Sequence, residues 1–130
     1  QPDKSAPILD VGAGSGRGGV DLRANGFTNL AALDFSPAML DLAREKQVYN
    51  RLYELELGFP LDPIPSDAFA GITCVGTFTH GHAPSRCLDE LVRIVRPGGV
   101  IVFTERDDFH ADASNGFAKK HQELIDRGAW

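Results

Sequence analysis

The sequence predicts an α/β fold in which a mostly parallel sheet lies between helices on both faces. Apolar runs rich in β-branched residues recur along the chain, and helical patterns or long connections separate them. The 130 residues contain no repeat or interdomain linker, so one domain spanning 1–130 is expected. The predicted strands are Ile8–Val11, Leu30–Leu33, Leu52–Leu57, Gly71–Val75 and Val100–Thr104.

Composition narrows the class of protein. The net charge of −5 argues against a domain whose main role is to bind nucleic acid, which requires a basic face. No apolar run approaches the roughly 18 to 20 residues that span a bilayer, so no membrane role is expected. Cys74 and Cys87 fit free thiols in a reducing compartment, which predicts a cytoplasmic location. Composition leaves the oligomeric state open.

The first predicted strand runs into a glycine-rich loop, "DVGAGSGRGG". Bare backbone at Gly12, Gly14 and Gly16 permits a tight turn and the close approach of a ligand. The stretch from Gly14 to Gly19 literally matches the dinucleotide-binding pattern Gly-x-Gly-x-x-Gly. Asp10 argues against that interpretation, because a carboxylate two residues before the first glycine disfavours a pyrophosphate and favours a cationic ammonium or sulfonium group. A P-loop is excluded, since the chain has no Gly-Lys-Ser/Thr triplet.

The second predicted strand is followed directly by Asp34, about 20 residues beyond the glycines, where an acidic side chain can accept hydrogen bonds from both ribose hydroxyls. Alone, Asp34 could equally be a carboxylate leading into the next helix. Ser36 and Pro37 predict that this helix begins there, with Ser36 as its N-cap. Together with the loop, Asp34 favours a nucleoside ligand.

Capping residues, prolines, glycines and apolar spacing predict the later elements. Ser85 is expected to cap a helix whose apolar stripe contains Leu88, Leu91, Val92 and Val95, and Pro97-Gly98-Gly99 is expected to end it. Residues 59–67, "FPLDPIPSD", hold three prolines and predict an irregular crossover. Apolar spacing predicts a last helix containing Phe117, His121, Leu124 and Ile125 and ending near Gly128.

Candidate catalytic side chains follow the fourth and fifth strands, at the sheet edge that holds the glycine loop. They are Thr77, Thr79, His80, His82, Glu105, Arg106, Asp107, Asp108 and His110. A histidine can act as a general base near neutral pH, and His80 is the best candidate because it follows the strand most directly. His80-Gly81-His82 supplies two ligands with no aligned third, so no metal is predicted. His121 is expected to be structural.

Three segments in this order, "ILDVGAGSGRGG", "LAALDFSPAMLDLARE" and "LDELVRIVRPGGVIVFTE", resemble the class I S-adenosylmethionine-dependent methyltransferases. Within them, "VGTFTHGHAP" and "RGAW" are most similar to the methyltransferase-like proteins related to the Williams–Beuren-region methyltransferase. The resemblance implies a three-layer Rossmann-like fold, here without the family's last two strands and shortened at both ends. It also implies S-adenosylmethionine as cofactor and methyl transfer to an acceptor, which we expect to be a small molecule.

The resemblance also implies roles for individual residues. The cofactor's methionine part would lie against Gly12, Ala13, Gly14 and Gly16, with Asp10 supporting the loop and favouring the cationic end. Asp34 would hold the ribose, while Phe35 and Met39 would pack beside the adenine, although Met39 is as readily explained as a core residue. Gly76 is included in the cofactor site. Many relatives place an aspartate that contacts the adenine after the third strand, whereas here Gly58 and Phe59 stand at that position.

Two alternatives stay open. One is a domain that binds S-adenosylmethionine or S-adenosylhomocysteine without catalysis of its own, because the adenine-contacting carboxylate is missing and the ends are short. The other is an NAD-dependent oxidoreductase domain, for which the literal glycine match is the sole support.

Overall fold

The computed structural model describes residues 3–78, 83–105 and 107–130. Five strands form one sheet in which every pairing is parallel, with the order β3-β2-β1-β4-β5. The strands are β1 Ile8–Val11, β2 Leu30–Asp34, β3 Arg51–Glu54, β4 Phe69–Phe78 and β5 Val95–Glu105. The helices are α1 Arg17–Ala24, α2 Pro37–Glu45, α3 Cys87–Ile94, α4 Asp107–Ala111 and α5 Phe117–Asp126, with a 3-10 turn at Ala113–Asn115. The predicted fold class is confirmed.

Strand alternation separates the two faces of the sheet. On one face Leu9, Ile72 and Cys74 pack with buried side chains of α3 and α5, such as Leu91 and Leu124, in the main core. On the other face Asp10 lies beside the first turn of α1, and α2 contacts β2 and β3 through its buried Leu40 and Ala43. At β4 and β5 this second face presents exposed valines, namely Val75, Val100 and Val102. Helices therefore cover both faces, more completely on one than on the other.

The start of α2 follows the prediction. The Ser36 hydroxyl accepts a hydrogen bond from the Met39 backbone N–H at 3.2 Å, and Pro37 occupies the first helical turn. The predicted cap at Ser85 is wrong. α3 begins at Cys87 after Arg86, and the Ser85 contribution is its carbonyl, which accepts from the Leu88 N–H at 3.2 Å.

The fifth strand begins five residues earlier than predicted. Val95 was expected in the apolar stripe of the helix, but its backbone is extended (φ −87°, ψ 136°) and it pairs with Phe69. A register irregularity between Phe69 and Gly71 then absorbs the Pro-Gly-Gly segment within β5. Gly98 and Gly99 therefore lie at an irregularity within β5 and do not form a separate turn before it.

The crossover at 59–67 contains no helix or strand, as predicted. Arg93 of α3 holds it in place, donating from its guanidinium to the carbonyls of Leu61 (3.0 Å) and Ile64 (2.9 Å). Glu90 accepts from Arg93 Nε at 2.6 Å and from the Leu61 N–H at 2.6 Å. The Arg93 hydrogen bond lowers the pKa of Glu90. A segment without regular structure is thus fixed by its carbonyls and an ion pair.

Among the described residues, no helix has the length and apolar character needed to cross a bilayer.

Candidate functional site

A cavity of about 370 Å³ opens at the carboxyl ends of β1, β2 and β4. β2 and β4 lie on opposite sides of β1, so the strand order reverses at this point, which is where open α/β sheets bind ligands. Five residues predicted from the sequence contribute to its lining: Gly12, Asp34, Phe35, Met39 and Gly76. Thr77, predicted as a catalytic candidate, also lines the cavity, and the main lining residues that the sequence did not indicate are Leu55, Glu56, Leu57, Ala83 and Pro84.

Gly12 forms the turn at the base of this cavity. Its φ of +66° lies in the left-handed region, and a Cβ at this position would collide with the side chain of Thr77. The N–H groups of Gly12 and Ala13 both donate to the carbonyl of Leu33, at 2.8 and 3.1 Å. The loop therefore folds back over the end of β2 and leaves bare backbone facing the cavity.

Asp34 connects the glycine loop to the start of α2. One carboxylate oxygen accepts from the Gly14 N–H and the other from the Ser36 N–H, both at 2.9 Å. The residue is 8% exposed and still contributes to the cavity lining. Two fixed backbone donors thus orient a carboxylate whose remaining lone pairs can receive ligand hydroxyls.

Asp10 has different surroundings. Its carboxylate accepts from the Tyr49 hydroxyl at 2.6 Å and from the Thr73 hydroxyl at 3.2 Å, and the Tyr49 oxygen accepts from the Gly19 N–H at 3.1 Å. Burial raises the pKa of Asp10, against the lowering effect of these two hydroxyl donors. Burial raises the pKa of Tyr49, and the hydrogen bond to the Asp10 carboxylate raises it further. Asp10 is 5% exposed and lies beneath the start of α1, outside the lining of the 370 Å³ cavity.

Ala13, Gly14 and Gly16 belong to the loop but not to the cavity lining, and Gly58 and Phe59 face a separate surface depression. The reason for the latter is the early end of β3 at Glu54, three residues before the predicted end. The polar–apolar alternation continues to Leu57, but pairing stops because the partner strand ends at Asp34. The segment after β3 therefore contributes the Glu56 carboxylate to the cavity, whereas the sequence had placed Glu56 inside the strand.

The predicted base His80 lies outside the described residues, as do Thr79, His82 and Arg106. Thr77 lines the cavity. Glu105 and His110 lie together, with His110 Nδ1 2.7 Å from a Glu105 oxygen, and His121 Nε2 is 2.9 Å from the other oxygen. His121 was expected to be structural, and helical spacing gave no signal that it would meet Glu105.

Both cysteines are free and buried in the core. Burial raises the pKa of each thiol, Cys74 and Cys87, to about 12. The thiols are therefore protonated at neutral pH, when they are poor nucleophiles and poor metal ligands.

Comparison with known proteins identifies the family. A family model described as "Methyltransferase domain" matches residues 9–103. Human methyltransferase-like protein 27 is 38% identical over 105 residues, which cover 81% of this chain and 42% of that protein. A demethylmenaquinone methyltransferase of Clavibacter sepedonicus is 34% identical over 99 residues, covering 75% of this chain and 40% of the relative. The chain thus spans about 40% of the length of these relatives.

The relatives are named for different acceptors, among them demethylmenaquinone, malonyl-[acyl-carrier protein] and a lysine of EEF1A. Among solved structures, a S-adenosylmethionine-dependent methyltransferase of Geobacter sulfurreducens in complex with S-adenosyl-L-homocysteine matches with a TM-score of 0.60 at 22% identity, covering 78% of this chain and 42% of that one. The resemblance seen in the sequence is confirmed, and the chain belongs to the methyltransferase domain family, with the Rossmann-like fold of S-adenosylmethionine-dependent methyltransferases.

Proposed function

We propose that this chain binds S-adenosylmethionine in the 370 Å³ cavity and transfers its methyl group to a small-molecule acceptor. The observation that supports this most directly is the position of that cavity at the reversal of strand order, with Asp34 and Gly12 in its lining. The volume lies within the range of about 300 to 1,000 Å³ typical of ligand pockets.

The lining fits the parts of this cofactor. Asp34 accepts the ribose hydroxyls, since two backbone donors already hold its carboxylate in place. Phe35 and Met39 are 65% and 38% exposed at the cavity, so they offer apolar surface to an adenine ring. Glu56 accepts from the adenine amino group and takes the place of the aspartate that relatives carry after the third strand. Ala13, Gly14 and Gly16 lie outside the cavity lining and shape the loop beside the methionine part, and Gly14 leaves open space where a Cβ would stand.

Asp10 has an indirect role in this proposal. It supports the glycine loop through Tyr49 and the start of α1, and its negative charge favours a cationic ligand nearby. Gly58 and Phe59, which lie away from the cavity, have no direct contact with the cofactor in this proposal.

S-adenosylmethionine supplies an electrophilic methyl group on a sulfonium, which an acceptor nucleophile attacks in line. The main task of the chain is to hold the two reactants close together in a reactive orientation. Such positioning lowers an activation barrier by about 7 to 11 kcal/mol. His80 is our candidate to remove a proton from the acceptor where the acceptor has one to lose. A small acceptor agrees with the demethylmenaquinone for which one relative is named, and the net charge of −5 disfavours nucleic acid. The free cysteines agree with a cytoplasmic location.

Calorimetric titration with S-adenosylhomocysteine and, separately, with NAD tests the binding step. We expect the chain to bind S-adenosylhomocysteine and not NAD. Asp34→Asn should weaken the binding of S-adenosylhomocysteine about 10- to 100-fold, because a hydrogen bond to a charged group contributes about 1.5 to 3 kcal/mol. Asp41→Asn is the matched control, since Asp41 pairs with Arg44 on the exposed side of α2. Heat with NAD alone, or equal affinity in Asp34→Asn and Asp41→Asn, would refute the assignment.

Turnover distinguishes a methyltransferase from a domain that binds without catalysis. The chain is incubated with S-adenosylmethionine labelled in the methyl group and with cell extract divided into small-molecule and protein fractions. Label in the small-molecule fraction, reduced in His80→Ala, supports the proposal. Label in the protein fraction identifies a protein acceptor, and binding without any transfer favours a domain that binds the cofactor without catalysis of its own.

A further inference from the structure

Three elements bring Glu105, His110 and His121 together at the carboxyl end of β5. Glu105 is the last residue of that strand, His110 lies in α4 and His121 in α5. One ligand atom from each residue lies within 4.8 Å of the other two. Each histidine points a ring nitrogen at a different oxygen of the same carboxylate, at 2.7 Å for His110 and 2.9 Å for His121.

We propose that Glu105, His110 and His121 form a binding site for a divalent zinc-class metal ion. Two imidazoles and one carboxylate make up a common zinc ligand set that leaves a fourth position open. Around a tetrahedral Zn²⁺ with metal–ligand distances of about 2.0 to 2.2 Å, neighbouring donor atoms lie about 3.4 Å apart. The two histidine–carboxylate pairs, which are 2.7 and 2.9 Å apart, therefore have to open by about 0.5 to 0.7 Å around the ion, and separations above 3.4 Å have to close. The metal-binding nitrogen of each ring must be unprotonated, so a proton held there moves to the other ring nitrogen or is released to solvent.

Two of the three ligands are held in position by packing. Glu105 has a side chain that is 9% exposed, and that of His121 is 14% exposed. The His121 ring stacks on Phe103 with centroids 5.2 Å apart and lies 5.3 Å from Trp130. His110 is 57% exposed and is free to adjust its ring to the ion. A site with two fixed ligands and one adjustable ligand loses little conformational entropy when the metal binds.

This site is separate from the cavity assigned to S-adenosylmethionine, because none of its three residues belongs to that lining. The sequence predicted no metal, since His80 and His82 offer two ligands with no aligned third. The proposed ligands are different histidines, His110 and His121, and metal binding by them does not depend on methyl transfer.

The test is a calorimetric titration of the untagged 130-residue chain with ZnCl2 in a buffer that does not chelate metal. We expect one ion per chain, and Co²⁺ should give the visible absorption bands of a tetrahedral site with nitrogen and oxygen ligands. Glu105→Gln, His110→Ala and His121→Phe should each weaken zinc binding by at least about tenfold, because loss of an outer partner alone costs 10- to 100-fold. His121→Phe keeps the aromatic stack on Phe103 and removes the nitrogens.

Two controls make the result specific. Glu123→Gln changes an exposed carboxylate in α5, and the double change His80→Ala, His82→Ala removes the other two histidines of the chain. Both should leave zinc affinity unchanged. Circular dichroism establishes that each variant is folded. No binding of Zn²⁺ by the folded chain, full affinity in any of the three ligand variants, or loss of binding in the His80/His82 variant would overturn the proposal.

Discussion

Tyr49→Phe tests whether a single hydroxyl joins the buried carboxylate of β1 to the first turn of α1. The hydroxyl donates to Asp10 at 2.6 Å and accepts from the Gly19 N–H at 3.1 Å. Gly19 lies in the first turn of α1, whose N–H groups have no partner within the helix. Phenylalanine keeps the ring and removes both hydrogen bonds.

The expected loss of stability follows from these two contacts. A hydrogen bond to a charged group contributes about 1.5 to 3 kcal/mol and a neutral one about 1 kcal/mol. Because Asp10 is 5% exposed, water can replace the lost donor poorly. We therefore expect Tyr49→Phe to lower the free energy of unfolding by about 2 to 4 kcal/mol at pH 7, a large part of the 5 to 15 kcal/mol typical of a domain.

The defect should also depend on pH. Burial already raises the pKa of Asp10, and Tyr49 counteracts that rise by hydrogen bonding to the charged form. Without Tyr49 the folded-state pKa of Asp10 rises further, so the mutant penalty is complete above that pKa. It decreases as the pH falls through it, since a protonated Asp10 no longer needs the donor.

The measurement is urea unfolding followed by circular dichroism from pH 4.5 to pH 7.5, with a double-mutant cycle that adds Asp10→Asn. Tyr53→Phe serves as the control, because the described residues give its hydroxyl no hydrogen bond and Arg51 stacks on a ring that phenylalanine retains. A loss below about 0.5 kcal/mol, or one that grows toward acid pH, would refute this account of the contact.

Two further changes test neighbouring contacts by the same unfolding assay. Gly19→Ala should be destabilising although alanine favours helices by about 1 kcal/mol, because its Cβ would overlap the ring of Tyr49; a stabilised variant would contradict this. Arg93→Met should cost about 1 to 3 kcal/mol and speed proteolysis within 59–67, because the crossover carbonyls and Glu90 lose their donor. Arg44→Met, which breaks the exposed ion pair with Asp41, should change stability by less than about 0.5 kcal/mol. Equal effects at the two arginines would argue against the role of Arg93 in holding the crossover.

The sequence was sufficient where local chemistry decides the structure. Ser36 and Pro37 predicted the start of α2, because a cap depends on residues within one turn. The strand centres were predicted because a parallel sheet buries both faces and leaves continuous apolar runs. The position of Asp34 at the cavity followed from the end of β2 and the glycine loop, two signals at a known spacing.

Strand ends were predicted less well, because they depend on a partner strand. β3 stops at Glu54, where β2 has ended, although its own alternation continues. β5 begins at Val95, since Phe69 offers a pairing partner before the Pro-Gly-Gly bend. The first of these differences exchanges Gly58 and Phe59 for Glu56 in the cavity. A shift of three residues in a strand end thus placed a carboxylate in the cavity lining, where the sequence had predicted none.

Asp10 illustrates what a charge argument from sequence can and cannot establish. The sign of the charge was a sound reason to prefer a cationic ligand over a pyrophosphate, and membership of the methyltransferase domain family agrees with that preference. The sequence could not indicate that the carboxylate would face Tyr49 and Thr73, because Tyr49 lies 39 residues away along the chain. Since both hydroxyls donate to it, Asp10 serves first to connect β1 with the start of α1 and with β4. It lines a separate depression with Gly12 and Ala13, so its charge acts on a ligand in the 370 Å³ cavity from across the loop.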